Sequence, residues 1–572
     1  MRALVAAVLV IGSGACAAPR PPAAAPPAHR TVAENVRRRD YAGSAECEGC
    51  HRDIYKKWQA SPMRNMTRRI ADATVRAPFA GETFDFKGER VALVTEAGTR
   101  TMRVGDRAYR VTKVIGGRTR EDFVGRDAGE ELILPLSYVY ATGTWRYKGY
   151  SVMIPERPRL SVGPVWRQTC IFCHNTAPYL TQIYDDLVGP GTRGYQGAVS
   201  DALVPRDRLW RVVPTDERGL GEAIADEVAA LGGARPDASV PLRKLLDGAM
   251  RATRRHFGEA QLVEVGIGCE ACHLGARAHA DDPELRPTLE PKSPLLRIVT
   301  PDGAPPTHAE LVNHTCVRCH TVLFSEYDWT WEGGHRDATA GGSSINSGEA
   351  RDFLLGACRR QLACTACHDP HTEDSRARLD ALATPAGDAT CARCHAAQTT
   401  DGHSHHRGVG CVACHMPKKN MGLASQLTRY HRIGAADDPA RVLADRPLEC
   451  ALCHPTESVA KIVGTMEAWW GKRYDRAALR RLYGDDLDAG ALAATLARGL
   501  PHEQAAAAGA LGDAKVRAAA PLIVPLLANP YPLVRHFARR ALEQIEGRPL
   551  AIDLDGPADE ILATARRWLT PL

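Results

Sequence analysis

Eight five-residue stretches of the 572-residue chain share one pattern, in which two cysteines are separated by two residues and followed at once by histidine. They read CEGCH (47–51), CIFCH (170–174), CEACH (269–273), CVRCH (316–320), CTACH (364–368), CARCH (391–395), CVACH (411–415) and CALCH (450–454). Cys-x-x-Cys-His is the attachment signature of c-type haem. The spacing lets both sulfurs reach the two vinyl groups on one edge of a porphyrin, and the adjacent histidine then comes under the iron.

The motifs therefore predict eight covalently bound haems. The predicted thioether cysteines are Cys47, Cys50, Cys170, Cys173, Cys269, Cys272, Cys316, Cys319, Cys364, Cys367, Cys391, Cys394, Cys411, Cys414, Cys450 and Cys453. The predicted proximal iron ligands are His51, His174, His273, His320, His368, His395, His415 and His454.

Two other uses of paired cysteines fit the pattern less well. A disulfide framework would explain an even number of cysteines in an exported protein, but it would not place histidine after every second one. Zinc ribbons also use Cys-x-x-Cys, but they need two pairs per metal and no histidine at a fixed position.

Haem replaces much of the apolar core, so we predict a mainly α, loop-rich body that is organised by haem packing. The first three motifs are far apart, whereas motifs four to eight crowd into residues 316–454. Such density places neighbouring porphyrins within electron-transfer distance, so the chain is expected to be at least an electron wire.

Each iron has a sixth position, and thirteen histidines lie outside the motifs. His371 is too close to His368 to bind the same iron, so we expect it to bind the iron of a neighbouring haem. His279 follows the third motif at a similarly short distance, and we expect the same of it. The HSHH cluster of His403, His405 and His406 should supply one ligand, with His405 or His406 favoured. His431 is a further predicted ligand, and the weaker ones are His314, His335, His308 and His256.

The first motif is followed by a long stretch without histidine. Met63 or Met66 could ligate iron there, and thioether ligation raises the potential of a haem. The alternative is that both methionines belong to the core.

Composition changes along the chain predict a domain order. Residues 82–155 alternate apolar and polar positions between glycines, which predicts a small antiparallel β-subdomain. Residues 206–262 show helical periodicity, which predicts an insertion within a multihaem domain at 156–484. An alanine-rich tail at 485–572 resembles HEAT-type helical repeats, which would cap the haem body or bind a partner.

The N-terminus carries an export signal. Residues 1–17 contain a short apolar run that has the length of a signal-peptide core. SGAC resembles a weak lipobox that would acylate Cys16, and ordinary cleavage after Ala17 is the alternative. A Pro/Ala-rich tether follows at 18–40, and the first haem segment at 41–81. With 73 basic against 67 acidic residues, the charge does not favour nucleic acid as a partner.

The remaining cysteine, Cys358, belongs to no motif and is expected to be a buried thiol or a thiol beside an open haem. The polar stretch SSINSGEARDF before it is a candidate lining for a haem edge, through Glu349 or Arg351.

Several blocks resemble one superfamily of multihaem cytochromes. They are YAGSAECEGCHRDIYKKWQASPM, GIGCEACHLGARAH, CTACHDPH, GVGCVACHMPKKNMG and TRYHRI, which together span about 41–75 and 165–470. This superfamily contains the pentahaem nitrite reductases, the octahaem hydroxylamine oxidoreductases and their tetrahaem partners. The resemblance implies bis-histidine ligation for most haems, with His279, His371, one of the HSHH histidines and His431 in distal positions.

The chain departs from this superfamily at two points. Met63 stands where the first block usually has histidine. No motif reads CxxCK, so the lysine-ligated catalytic haem of the pentahaem nitrite reductases is absent.

Three functions remain open from the sequence. The favoured one is an exported, periplasmic or cell-surface octahaem cytochrome that relays electrons from a quinol-linked or cytochrome donor to a terminal acceptor. The alternative is an oxidoreductase that acts on a small nitrogen or sulfur compound at one haem with an open distal site. A structural subunit docked through the tail is the third.

Overall fold

A computed structural model describes residues 30–148, 153–188, 208–321, 348–422 and 424–569. The signal segment with Cys16, most of the tether, and His335 lie outside the described residues. Within the described residues, no helix is both long and apolar enough to cross a membrane.

The N-terminal third is dominated by one antiparallel sheet. Its strands follow each other through tight turns, and most are paired with their sequence neighbours, in the order β2-β3-β4-β5-β6-β7-β8, while β1 pairs with β5. The strands are β1 (Thr67–Arg69), β2 (Glu82–Phe86), β3 (Glu89–Glu96), β4 (Thr99–Val104), β5 (Arg107–Gly116), β6 (Arg120–Arg126), β7 (Glu131–Val139) and β8 (Thr144–Tyr147).

The sheet curls around an apolar interior. Val91 on β3 and Phe123 on β6 are fully buried in it, as alternating strand residues should be. The rings of Phe86 on β2 and Tyr147 on β8 lie 4.9 Å apart, which brings the two ends of the sheet together. The region in which the sequence predicts hairpins is therefore one curved sheet that begins earlier, at β1.

The sheet packs directly on the second haem motif. The Thr67 hydroxyl donates to the carbonyl of His174 at 3.0 Å. Lys113 of β5 is buried, lies 4.5 Å from the ring centre of Trp166 and pairs with Glu131 at 2.7 Å. Because Trp166 precedes Cys170 by one turn, the sheet forms one wall of this haem segment.

The middle of the chain consists of short helices joined by loops. Each haem motif lies in or beside a short helix or a 3₁₀ turn. The helices before the tail are α1 (Arg52–Gln59), α2 (Ile171–His174), α3 (Tyr179–Gln182), α4 (Tyr184–Val188), α5 (Glu217–Ala230), α6 (Leu242–His256), α7 (Glu270–His273), α8 (Arg277–Asp281), α9 (His308–His320), α10 (Glu349–Leu355), α11 (Arg376–Ala381), α12 (Ala389–His395), α13 (Asp401–Ser404), α14 (Cys411–His415) and α15 (Pro439–Val442).

Two small ribbons join these loops, β9 (Arg211–Pro214) with β10 (Leu296–Val299) and β11 (Lys418–Met421) with β12 (Leu427–Arg429). Helices α5 and α6 are amphipathic and bury Leu220 and Leu246 in the same cluster as Phe172 of the second motif. The segment predicted as an insertion therefore packs against the second motif.

The longest helix that carries a motif is α9. Thr307 caps its first turn through a reciprocal pair of bonds, since the Glu310 amide donates to the Thr307 hydroxyl at 3.2 Å and the Thr307 amide donates to the Glu310 carboxylate at 2.8 Å. Ala309, Val312 and Val317 form its buried face. This helix places Cys316, Cys319 and His320 at its C-terminal end.

The C-terminal part is a helical layer with its own large core. Its helices are α16 (Val459–Trp470), α17 (Arg476–Tyr483), α18 (Ala491–Arg498), α19 (Pro501–Asp513), α20 (Ala520–Ile523), α21 (Pro532–Glu546) and α22 (Ala558–Leu569). The core does not begin at residue 485, where composition predicts the boundary. It continues through Val459 to Ala451 inside the eighth motif, because α16 packs on the same apolar cluster.

The helical layer also contacts the sheet side of the molecule. Arg535 of α21 forms a two-bond ion pair with Glu156, with both N–O distances at 3.0 Å. The Glu156 amide donates to the Pro530 carbonyl at 2.9 Å. The tail is thus fixed to the segment that follows the sheet.

Candidate functional site: histidine pairs and the chain of haem motifs

Five of the eight motif histidines face a second histidine across a gap of constant width. The pairs, with their ring-centroid distances, are His51–His279 at 6.0 Å, His273–His371 at 6.3 Å, His368–His431 at 6.3 Å, His415–His403 at 6.2 Å and His454–His406 at 5.9 Å. Metal–imidazole bonds are about 2 Å long, as zinc sites show, so two imidazoles on opposite sides of one metal have centroids roughly 6 Å apart. The five pairs therefore fit an iron held by two axial histidines.

In each pair the partner comes from another part of the sequence. His371 follows the fifth motif but faces His273 of the third, and His431 lies beyond the seventh motif but faces His368 of the fifth. The run CHDPH thus supplies one histidine to each of two pairs. This crossing ties the third and fifth haem segments together.

The protonation of several rings suits metal binding. His279, His406, His415 and His431 each place Nδ1 within 2.6–3.0 Å of a backbone carbonyl oxygen. A carbonyl oxygen only accepts, so Nδ1 carries the proton and Nε2 is left with its lone pair for a metal.

Burial keeps several of these imidazoles neutral. It lowers the pKa of His273, with the neighbouring His371 as a further cause, and it also lowers the pKa of His431. A neutral imidazole is the form that ligates a metal.

The remaining three motif histidines have different surroundings. Within the described ranges, His174, His320 and His395 face no second histidine ring. Burial lowers the pKa of His174 to about 4. The carboxylate of Glu349 lies 3.7 Å from Nδ1 of His320 and raises the pKa of that histidine to about 9.

Several predicted ligands occupy other positions. His405 stacks on Trp469 at 4.5 Å between centroids, and its two neighbours in the HSHH cluster take the places opposite motif histidines. His405 has a φ of 54°, in the left-handed region that non-glycine residues rarely adopt.

His314 is likewise engaged elsewhere. Its ring stacks on Trp210 at 3.6 Å, and its Nε2 accepts the Trp210 amide at 3.2 Å. The ring of His314 therefore faces Trp210 rather than a motif histidine. His308 begins α9 and His256 ends α6.

The two methionines after the first motif lie in a half-buried loop. The Met63 carbonyl accepts the Ile267 amide at 3.2 Å, which fixes this loop just before the third motif. Met66 packs against the apolar cluster that contains Phe172 of the second motif.

Hydrogen bonds and close contacts connect the motifs at the start of the chain. The Cys269 amide of the third motif donates to the hydroxyl of Ser44, three residues before Cys47 of the first motif, at 2.9 Å. The Cys173 sulfur of the second motif lies 3.9 Å from the Arg318 carbonyl of the fourth. The third and fourth motifs meet where Arg318 donates to the Ala271 carbonyl at 3.4 Å.

The fourth and fifth motifs are also joined by a hydrogen bond, since the Cys364 amide donates to Oδ1 of Asn313 on α9 at 3.0 Å. Burial raises the pKa of Cys367, and the nearby Cys391 of the sixth motif raises it further.

The sixth and seventh motifs meet where the Cys411 amide donates to the Asp388 carboxylate at 2.7 Å, three residues before Cys391. Burial raises the pKa of Cys450 to about 12, and the nearby Cys414 of the seventh motif raises it further.

Repeated haem-attachment motifs with facing imidazoles are the features of a multihaem c-type cytochrome. The family described as "Cytochrome c7 and related cytochrome c" matches residues 304–396, which hold motifs four to six. The chain therefore contains a cytochrome c7-related segment and binds c-type haem covalently.

One solved structure was also found to be similar, the "Crystal Structure of Outer Cell Wall Cytochrome OcwA". It covers 93% of this chain and 100% of its own chain, at 14% identity and a TM-score of 0.32. No curated protein matches the sequence significantly.

Sequence reasoning missed two features of this site. Asp374 accepts from His368, and nothing in its sequence context marks it apart from neighbouring acidic residues. The role of His403 is the second, because the sequence favours His405 or His406 and the spacing within HSHH does not say which ring the turn directs inward.

Proposed function

We propose that the chain is an exported octahaem c-type cytochrome that relays electrons between a membrane-linked or periplasmic donor and a terminal acceptor. The observation that carries this proposal is the set of five facing histidine pairs, two of which link motif segments that lie far apart in the sequence. A histidine from one motif segment that faces the motif histidine of another holds the two haems close together, and closely spaced haems exchange electrons rapidly. When bound, each haem supplies a one-electron Fe(III)/Fe(II) couple.

The protein's own residues would hold the haems in place. Each motif would anchor one porphyrin through two thioethers and one imidazole. For haems 1, 3, 5, 7 and 8, the facing histidines His279, His371, His431, His403 and His406 would fill the sixth position. Two strong axial ligands leave iron without a site for substrate, which suits transfer rather than chemistry.

The oxidoreductase alternative depends on an open sixth position. Haems 2, 4 and 6 are the candidates for an open sixth position, because His174, His320 and His395 face no second histidine ring within the described residues. Glu349 near His320 is the one carboxylate from the predicted haem-edge segment that lies beside a motif histidine. His335 from outside the described residues would close one such position if it binds iron.

Two measurements on the purified mature protein test the proposal. A pyridine haemochrome assay should give eight haems per chain, and six or fewer would overturn the octahaem count. Carbon monoxide added to the dithionite-reduced protein should leave its spectrum unchanged if every iron has two axial side-chain ligands. A stoichiometric carbonyl adduct would favour the oxidoreductase instead.

Location is part of the proposal. Thioether attachment is completed outside the cytoplasm, which agrees with the predicted export signal. Cys16→Ser should release the chain from membranes into the soluble exported fraction if Cys16 is acylated. An unchanged distribution would favour ordinary cleavage.

A further inference from the structure

The axial histidines differ in the group that accepts a hydrogen bond from their second ring nitrogen, Nδ1. For His279, His406, His415 and His431 the acceptor is a neutral backbone carbonyl. For His368 it is a carboxylate, since Nδ1 lies 2.8 Å from Oδ2 of Asp374. Within the described part of the chain, no other motif histidine has a carboxylate at hydrogen-bond distance, and among the facing histidines the nearest carboxylate is Asp369, whose Oδ1 lies 3.5 Å from Nδ1 of His371. Glu349 is 3.7 Å from His320, beyond the usual range.

Asp374 is held in place by its other contacts. Arg378, one helical turn later on α11, donates to Oδ1, and the two residues form an ion pair. The Asp369 amide lies 3.4 Å from the same oxygen. The side chain of Asp374 is only 11% exposed, so little water competes for Oδ2. The carboxylate is therefore fixed with one oxygen on the arginine and the other on the imidazole.

A carboxylate on Nδ1–H makes an imidazole a more basic ligand than a carbonyl does. A more electron-donating ligand stabilises ferric iron relative to ferrous iron, and hydrogen bonding to the axial ligand is one of the ways in which a protein sets a haem potential. We propose that Asp374 is a positioning residue that makes haem 5 a low-potential member of the chain. The inference rests on the proposed octahaem relay, because it assigns an order of reduction to haems within it.

The position of haem 5 gives this tuning a consequence. Its motif meets α9 of the fourth motif, where the Cys364 amide donates to Asn313 at 3.0 Å, and the same segment supplies His371 to the pair with His273 of haem 3. Lowering the reduction potential of a haem in the middle of the chain delays its reduction until the neighbouring haems are reduced. An electron then crosses haem 5 as a one-electron transfer in which no bond forms or breaks, and the Nδ1 proton stays between the ring and Asp374.

The test is a potentiometric titration of the holoprotein, followed by the electron paramagnetic resonance signals of the low-spin ferric haems. Asp374→Asn keeps the side-chain shape but removes the charge. We expect one haem to shift at least tenfold toward the ferrous form at a fixed potential, which is about 59 mV for a one-electron couple. The other haems should stay in place, and the haem count should be unchanged.

Glu373→Gln is the matched control. Glu373 is the adjacent carboxylate, and it pairs with Arg118 at 2.8 Å rather than with a histidine. Equal shifts in Asp374→Asn and Glu373→Gln would show a general charge effect and overturn the inference, as would no shift in Asp374→Asn. Arg378→Gln is an independent variant. Removing the arginine from Oδ1 of Asp374 should lower the reduction potential of the same haem, which is the opposite direction to Asp374→Asn. An unchanged potential in Arg378→Gln would also count against the proposal.

The two levels of the proposal fail in different ways. A parent protein with fewer than eight haems, in which Asp374→Asn still shifts one haem, would overturn the octahaem relay alone. A parent with eight haems, in which neither Asp374→Asn nor Arg378→Gln shifts any of them, would overturn the role of Asp374 alone.

Discussion

His405 and His406 are neighbours in sequence, but the structure gives them opposite surroundings. His406 faces His454 of the eighth motif at 5.9 Å, whereas His405 stacks on Trp469 at 4.5 Å. The two substitutions His406→Ala and His405→Ala are therefore a matched pair. They remove the same side chain from the same turn and differ in whether an axial position is emptied.

The expected size of the effect follows from the pairing. His406→Ala should leave one iron in eight without its sixth ligand, so about one-eighth of the haem should become high-spin. One more carbon monoxide per chain than in the parent should bind after reduction. His405→Ala should change neither quantity, because its ring lies opposite no motif histidine in the described structure.

The assay is a carbon monoxide titration of dithionite-reduced protein, read at the Soret band, with the haem count measured on each sample. A carbonyl adduct in His405→Ala but not in His406→Ala would refute the pairing read from the structure. Equal adducts in both variants would show that the turn as a whole, and not one ring, holds the distal position.

Three further predictions concern the stability of the body that holds the haems, each measured by urea unfolding followed by far-ultraviolet circular dichroism. Glu156→Ala should destabilise the protein by about 3 kcal/mol, because it leaves Arg535, only 7% exposed, without its two-bond partner. Gly512→Val should cost about 1–3 kcal/mol, because a Cβ at Gly512 would meet the Ala541 Cα at 2.6 Å where α19 crosses α21. Burial lowers the pKa of His502 to about 3. Below the ordinary pKa of about 6.5, the unfolded chain therefore binds a proton that the folded chain does not. As the pH falls from about 6.5 to about 3, the free energy of unfolding should decrease by up to about 1.4 kcal/mol per pH unit. His502→Gln should flatten that part of the pH profile.

Each of these predictions has its own control. Lys87 also pairs with Glu156, at 3.1 Å, but it is partly exposed. Lys87→Ala should therefore lower the free energy of unfolding by well under 1 kcal/mol. A loss equal to that of Glu156→Ala would contradict the importance of the buried pair between Glu156 and Arg535. Gly464 has open space around it, so an alanine there should be tolerated, and a loss as large as that of Gly512→Val would contradict the packing argument. A pH profile that is the same with and without His502 would mean that this group does not titrate on unfolding.

The sequence alone determined the cofactor chemistry. Covalent haem attachment depends on a spacing of two thiols and one imidazole within five residues, and such a local pattern is complete without a fold. The alternating pattern before the second motif and the helical periodicity of the tail are also local, so strands and helices could be predicted there.

The tertiary structure decided which residues meet. The histidine that faces His273 lies almost a hundred residues away, at His371, and no sequence distance predicts that contact. Within HSHH, only the structure shows that His403 and His406 face motif histidines while His405 stacks on Trp469, and the acceptor of His368 depends on how Asp374 is anchored by Arg378. The contact of the second motif with the fourth likewise depends on packing, because the Cys173 sulfur lies 3.9 Å from the Arg318 carbonyl although 145 residues separate them.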